Sequence, residues 1–213
     1  MDKIKVGIVE DDLDWLKCMT TFLNNEEDIF VTGSATNRDE AVRMAKSMAF
    51  DVILMDINLD ENKCDGILTT VEIRQFSDAK IIMLTSLDEK EIILDSFTAG
   101  AVNYVSKSKY MDIPGLIREA YNNKSPIEVV LNEFSQMKKN EQLKDLTQSE
   151  KQVFDLLEKG YTKSRIESEL FKTTNTVKTQ IKHILRKLGV SNSKEAVQKV
   201  KTKGLMEKLH KGK

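Results

Sequence analysis

Four short apolar runs each deliver a reactive side chain at or just past their end. Ile4–Val9 is followed at once by Glu10-Asp11-Asp12, and Val52-Ile53-Leu54-Met55 closes on Asp56. Lys80–Thr85 ends in a hydroxyl, and Lys107 comes shortly after Asn103–Val105. In an open parallel α/β sheet, chemistry collects at the carboxyl ends of the strands. Carboxylates gathered there repel one another, and a divalent cation is the simplest way to hold them. An oxygen-only ligand set suits magnesium. Each residue alone also has a plain reading: an acidic helix start, a turn aspartate, a surface lysine.

A second constellation lies far along the chain, at Thr176-Val177-Lys178-Thr179-Gln180-Ile181-Lys182. Val177, Ile181, Ile184, Leu185 and Leu188 recur at helical spacing and form one apolar face. Lys178, Lys182, Arg186 and Lys187 fall largely off that face. A helix anchored on one side and basic on the other is built to enter a DNA major groove, although a solvated lysine face has the same look.

The elements that must position these groups follow from the pattern. Strands are expected at Ile4–Val9, Ile29–Ser34, Asp51–Met55, Lys80–Thr85 and Asn103–Val105, with helices at about Leu13–Asn24, Arg38–Met48, Ile67–Gln75, Lys90–Ala99 and Ile113–Asn122. Strict alternation predicts an α/β, doubly wound, five-stranded parallel sheet over residues 1–125. Residues 126–145 are mixed and then polar and read as a linker, helical in part. Residues 146–213 show no strand pattern and read as an all-α unit of four helices, at about Gln148–Glu158, Lys163–Leu170, Thr174–Leu188 and Lys194–Thr202. Thr147 and Glu150 have capping-box spacing, and Gly160 and Gly189 sit where helices should stop.

Charge divides the chain in the same place. Of 33 basic and 34 acidic residues, 16 basic and 7 acidic fall in 146–213, giving that part +9 and the remainder −10. The basic part has the sign needed for a phosphate backbone. The only cysteines, Cys18 and Cys64, form no CxxC pair and read as inert thiols in a reducing compartment. Two histidines, His183 and His210, leave little for a zinc site or a hydrolytic triad. No run approaches a membrane span and no leader pattern opens the chain, so a cytoplasmic protein is expected.

Residues 1–122 resemble the receiver domain of two-component response regulators. The resemblance implies that Asp56 accepts a phosphoryl group, that Glu10, Asp11 and Asp56 hold Mg²⁺ with the backbone carbonyl of Asn58, and that Lys107 pairs with the phosphoryl oxygens. It makes Thr85 the switch hydroxyl and Tyr104 the aromatic that turns with it. Two departures stand out. The loop Asp56–Gly66 lacks the family's usual proline, and Ser108 follows Lys107 where proline is common, leaving that bond's isomer open. Asn58 and Leu87 resemble positions that tune phosphoryl lifetime, and apolar Leu87 points to a long-lived phosphorylated state.

Residues 146–202 resemble the LuxR-type helix-turn-helix of NarL/FixJ-family regulators, through Leu146-Thr147, Glu150, Gly160, Ile166, Thr176-Val177-Lys178, Ile184, Lys187-Leu188, Val190 and Glu195-Ala196. Lys178, Thr179 and Lys182 then face base edges or phosphates, with Thr174, Thr176 and Lys187 as weaker phosphate contacts. The helix around Ala196, Val197 and Val200 resembles one that pairs two such domains. Gln180, Ser193 and Lys163-Ser164-Arg165 depart from the family's usual residues. Together the resemblances imply a DNA-binding regulator of transcription, phosphorylated by a sensor histidine kinase, dimeric when phosphorylated, and able to engage RNA polymerase. No P-loop, nucleotide-binding glycine motif or zinc motif supports a separate enzyme.

Overall fold

The computed structural model describes residues 3–59, 64–86, 90–122 and 126–205. The chain divides into two compact units, 1–135 and 136–213. The first holds a five-stranded parallel sheet of β1 (Ile4–Val9), β2 (Ile29–Ala35), β3 (Val52–Asp56), β4 (Lys80–Thr85) and β5 (Asn103–Ser106), in the order β2-β1-β3-β4-β5. Between them run α1 (Leu13–Asn24), α2 (Arg38–Ser47), α3 (Asp65–Ile73) and α4 (Lys90–Ala99). A 3₁₀ turn, Lys107–Asp112, then leads into α5 (Ile113–Tyr121). The doubly wound α/β fold expected from the alternation is the one observed.

Strand alternation explains the packing. Ile4, Val6 and Ile8 of β1, with Val52, Leu54, Ile82, Leu84 and Val105, pack beneath Leu16, Met19 and Leu23 of α1 and Ile113 and Ile117 of α5. Every residue of β3 is buried, as a central parallel strand covered on both faces requires. The order places β1 beside β3, with β2 on the outer side of β1. Strand order therefore reverses at β1 and β3, and the crevice at their carboxyl ends is the site such a sheet offers to a ligand.

Residues 126–142, read from sequence as part of a linker, form a helix, α6 (Pro126–Gln142). The boundary between the units falls inside it, after Ser135. The second unit continues with α7 (Gln148–Glu158), α8 (Lys163–Leu170), α9 (Thr174–Leu188) and α10 (Ser193–Lys201). Each of these four helices begins on a side-chain cap, from Thr147, Thr162, Thr173 and Asn192 respectively. Gly189 ends α9 with a φ of 67°, a left-handed cap that glycine adopts without steric cost. Val153, Phe154, Ile166, Val177, Ile184, Ala196 and Val200 form a common core. No helix among the described residues is long and apolar enough to cross a membrane.

Candidate functional site

The acidic site grows out of the end of β1. Asp12 takes the cap of α1, its Oδ1 accepting the backbone N–H groups of Asp14 at 2.9 Å and Trp15 at 3.1 Å. That leaves Glu10 and Asp11 for other work. Asp56 ends β3, immediately beside β1. One carboxylate oxygen from each of Glu10, Asp11 and Asp56 lies within 4.8 Å of the others. Glu10 and Asp56 are buried and Asp11 is exposed. The three carboxylates singled out by spacing along the sequence thus share one pocket.

Lys107 reaches into the same pocket from the end of β5. Its Nζ donates to Glu10 Oε1 at 2.8 Å and to Asp56 Oδ2 at 2.9 Å. Glu10 Oε2 lies 2.7 Å from the same nitrogen, yet outside hydrogen-bonding geometry, so this buried oxygen has no directed donor. Burial pushes the Glu10 carboxyl up to about 7; the hydrogen bond from Lys107 opposes this, and the neighbouring Asp56 charge adds to it. Burial likewise raises Asp56, against the pull of Lys107. For Lys107, burial lowers the ammonium, but the bonds to Glu10 and Asp56 outweigh it and the group is held above its ordinary value. Three carboxylates against one ammonium leave a surplus of negative charge. An all-oxygen set with that surplus of negative charge fits a hard divalent cation.

The loop after β3 is held by backbone contacts. Gly66 N donates to Ile57 O at 2.9 Å, and Asn58 Oδ1 accepts from Cys64 N at 3.2 Å. A Cβ at Gly66 would lie 1.8 Å from the carbonyl oxygen of Asp56. Only glycine lets α3 start this close to the strand end, and Asn58 N–H in turn donates to the Asp56 carboxylate. Residues 60–63 of the loop and Leu87 lie outside the described residues. Lys107–Ser108 is trans, since no cis bond occurs among the described residues.

Thr85 is buried at the end of β4, opposite Ser106. Tyr104 pairs with Met83 two residues earlier and is half-buried. In a parallel pair this register puts Thr85 and Tyr104 on one face of the sheet as diagonal neighbours. Sequence reasoning missed Trp15, whose ring centroid is 5.1 Å from Lys107 Nζ. The available signal was position: Trp15 stands three residues after the Asp12 cap, one turn into α1.

The basic helix, α9, has the expected division. Val177, Ile181, Ile184 and Leu188 are buried, while Thr174, Thr176, Lys178, Thr179, Lys182 and Arg186 are exposed. Two candidate contacts already have partners within the unit. Lys187 Nζ donates to Glu150 Oε2 at 2.7 Å, and Thr174 Oγ1 donates to Glu167 at 2.9 Å. Gln180 is also engaged. Its Nε2 donates to Ser149 Oγ at 2.6 Å, and its Oε1 accepts from Lys172 at 3.1 Å, fixing α9 to the start of α7. In α10, Ala196 and Val200 are buried in their own unit's core, whereas Val197 is only partly buried.

Residues 6–117 match the response regulator receiver domain, and residues 144–200 match the bacterial regulatory proteins of the luxR family. The transcriptional regulatory protein LiaR of Bacillus subtilis is 36% identical over 91% of this chain and 94% of its own length. The response regulator protein VraR of Staphylococcus epidermidis is 33% identical over the same shares. The RcsB response regulator of Salmonella typhimurium superposes with a TM-score of 0.53 at 22% identity, over 93% of this chain and 98% of that one, a likeness of fold. The carboxylate pocket at the strand-order reversal, the basic helix anchored on a small core and these two matches have one meaning: the chain belongs to the response regulators in which a receiver domain precedes a LuxR-type helix-turn-helix, DNA-binding regulators of transcription.

Proposed function

We propose that Asp56 accepts a phosphoryl group from the phosphohistidine of a sensor kinase and that this modification controls promoter binding by the helix-turn-helix unit. The observation that carries the reading is the position of the Asp56 carboxylate. It is buried, it shares a pocket with Glu10 and Asp11, and it lies 2.9 Å from an ammonium held above its ordinary pKa. An Asp56 oxygen attacks phosphorus, the P–N bond breaks, and the imidazole leaves with the electron pair. Lys107 is placed to exchange its bond to Asp56 for one to the phosphoryl oxygens as negative charge shifts onto them. Glu10, Asp11, Asp56 and the backbone carbonyl of Asn58 would hold Mg²⁺, which when bound offsets charge on the transferring group.

The product carries roughly −1.5 to −2 charge and new acceptor oxygens. Thr85 turns its hydroxyl towards them, and Tyr104, on the same face, follows into the space. The chemistry is one phosphoryl per chain, taken up and slowly lost, with no separate substrate. Phosphorylation favours dimers, and two helix-turn-helix units on paired half-sites gain affinity through effective concentration. In each, Lys178, Thr179 and Lys182 face the groove. Thr176 and Thr174 reach towards phosphates, and Lys187 does so less, because Glu150 already holds it. The protein works in the cytoplasm, with promoter DNA and RNA polymerase. Mass analysis after treatment with acetyl phosphate and Mg²⁺ tests the first step: one phosphoryl per wild-type chain and none on Asp56→Asn. Equal uptake by the variant sinks the assignment.

A further inference from the structure

A lysine ammonium has three N–H donors. For Lys107, two are directed at Glu10 Oε1 and Asp56 Oδ2, at 2.8 and 2.9 Å. The ammonium also stands 5.1 Å from the centroid of the Trp15 ring, inside the range of a cation–π contact. Only 18% of the Lys107 side chain is exposed. The backbone N–H of Trp15 donates to Asp12 Oδ1 at 3.1 Å, starting the helix that carries the ring, and the side chain packs half-buried against the core beneath α1. The triplet Glu10-Asp11-Asp12 therefore does two things. It brings two carboxylates to the pocket, and its third member caps the helix that carries Trp15.

We propose that Trp15 is a positioning residue for Lys107. Lysine has a flexible four-carbon stem and a charge that water solvates strongly. The two carboxylates restrain the ammonium through directed hydrogen bonds. The Trp15 ring restrains it on another side and offers a surface along which it can follow the phosphoryl oxygens while keeping a partner. An aliphatic residue of similar reach keeps the packing but removes the π face. Phenylalanine keeps a weaker one. The proposal rests on Asp56 being the phosphoacceptor.

The test uses the full chain with acetyl phosphate and Mg²⁺. Trp15→Leu is expected to slow phosphorylation about threefold to thirtyfold, the range a cation–π contact supplies, while Trp15→Phe recovers much of the rate. A second measurement leaves the ring in place. Trp15 is the chain's single tryptophan, so its emission reports on this pocket alone. Lys107→Met should change that emission in the unmodified protein. Acetyl phosphate with Mg²⁺ should change it in the wild type and leave Asp56→Asn unaffected. Trp15→Leu as fast as wild type, Trp15→Phe as slow as Trp15→Leu, or emission indifferent to Lys107→Met overturns the proposal alone. Undiminished phosphoryl uptake by Asp56→Asn overturns the phosphoacceptor reading, and the proposal falls with it.

Discussion

Glu150 ties the start of α7 to the end of α9 in the DNA-binding unit, and its removal has a calculable cost. Its Oε2 accepts from Thr147 N at 2.7 Å, from Thr147 Oγ1 at 2.9 Å and from Lys187 Nζ at 2.7 Å. The carboxylate thus closes the cap of α7 and pins the last turn of α9 with one atom. Its side chain is 5% exposed and that of Lys187 is 26% exposed, so water screens the pair from one side only. Burial works to raise its pKa, but Lys187 and Thr147 outweigh burial and hold it at about 2, against an ordinary 4.5. Such a fall corresponds to at most about 3 kcal/mol of stability, and to less once screening at the partly exposed Lys187 is allowed for. Because the folded-state pKa is depressed, this contribution is fully present above about pH 4.5. It is lost as pH falls towards 2, more than half of it by about pH 3.

Glu150→Gln keeps the shape and the cap's acceptor but removes the charge. Urea unfolding of the full chain, followed by far-UV circular dichroism, measures both units, while Trp15 fluorescence follows the receiver alone. The variant should lose about 1–3 kcal/mol in the helix-turn-helix transition at pH 7, with the receiver transition unmoved. The gap between variant and wild type should narrow steadily from pH 5 to pH 3. A gap that is the same at pH 3 as at pH 7, or absent at pH 7, would show that the Glu150 charge does not stabilise this unit.

Gly66→Ala would drive a Cβ to 1.8 Å from Asp56 O, a backbone atom that cannot swing aside. Thermal unfolding should show the receiver destabilised by about 1–3 kcal/mol or more, and the phosphorylation rate should fall with it. Lys178→Ala and Lys182→Ala, both at exposed positions on α9, should leave the fold's melting temperature unchanged and weaken promoter binding. Titrations at several salt concentrations should show the salt slope reduced by about one for each of these lysines that neutralises a DNA phosphate; unaltered affinity and slope in both variants would remove this face of α9 from the DNA interface.

Much of the receiver was legible because burial writes itself plainly into parallel strands. The all-apolar run of β3 and the polar residues just past the strand ends are enough to place Glu10, Asp11, Asp56 and Lys107 on one edge. What periodicity cannot give is the division of labour within a triplet, and Asp12 is told from Asp11 only by the cap it makes. The contact of Trp15 with Lys107 joins residues from opposite ends of the receiver sequence, and the only local trace is the position of Trp15 one turn after the Asp12 cap. α6 was hard to read because its apolar residues do not form one stripe: Val129, Val130 and Met137 are all more than 60% exposed along it. In the second unit the apolar face of α9 was plain. The engagement of Gln180 by Ser149 and Lys172 was not, since all three are polar residues that sequence alone assigns to solvent or to DNA. Ala196 and Val200 show the converse. An apolar pair on a terminal helix reads equally well as core or as an interface, and here the domain's own core claims both.

Control by phosphorylation requires a link between the Asp56 carboxylate in one unit and DNA affinity in the other. Footprinting titrations on a target promoter, with and without acetyl phosphate and Mg²⁺, measure that link in wild type and Asp56→Asn side by side. Acetyl phosphate should shift the wild-type midpoint to about five- to a hundredfold lower protein concentration, the usual span of coupling between sites, and should leave Asp56→Asn where it was. A wild-type midpoint that does not move, or an Asp56→Asn midpoint that moves just as far, would contradict it.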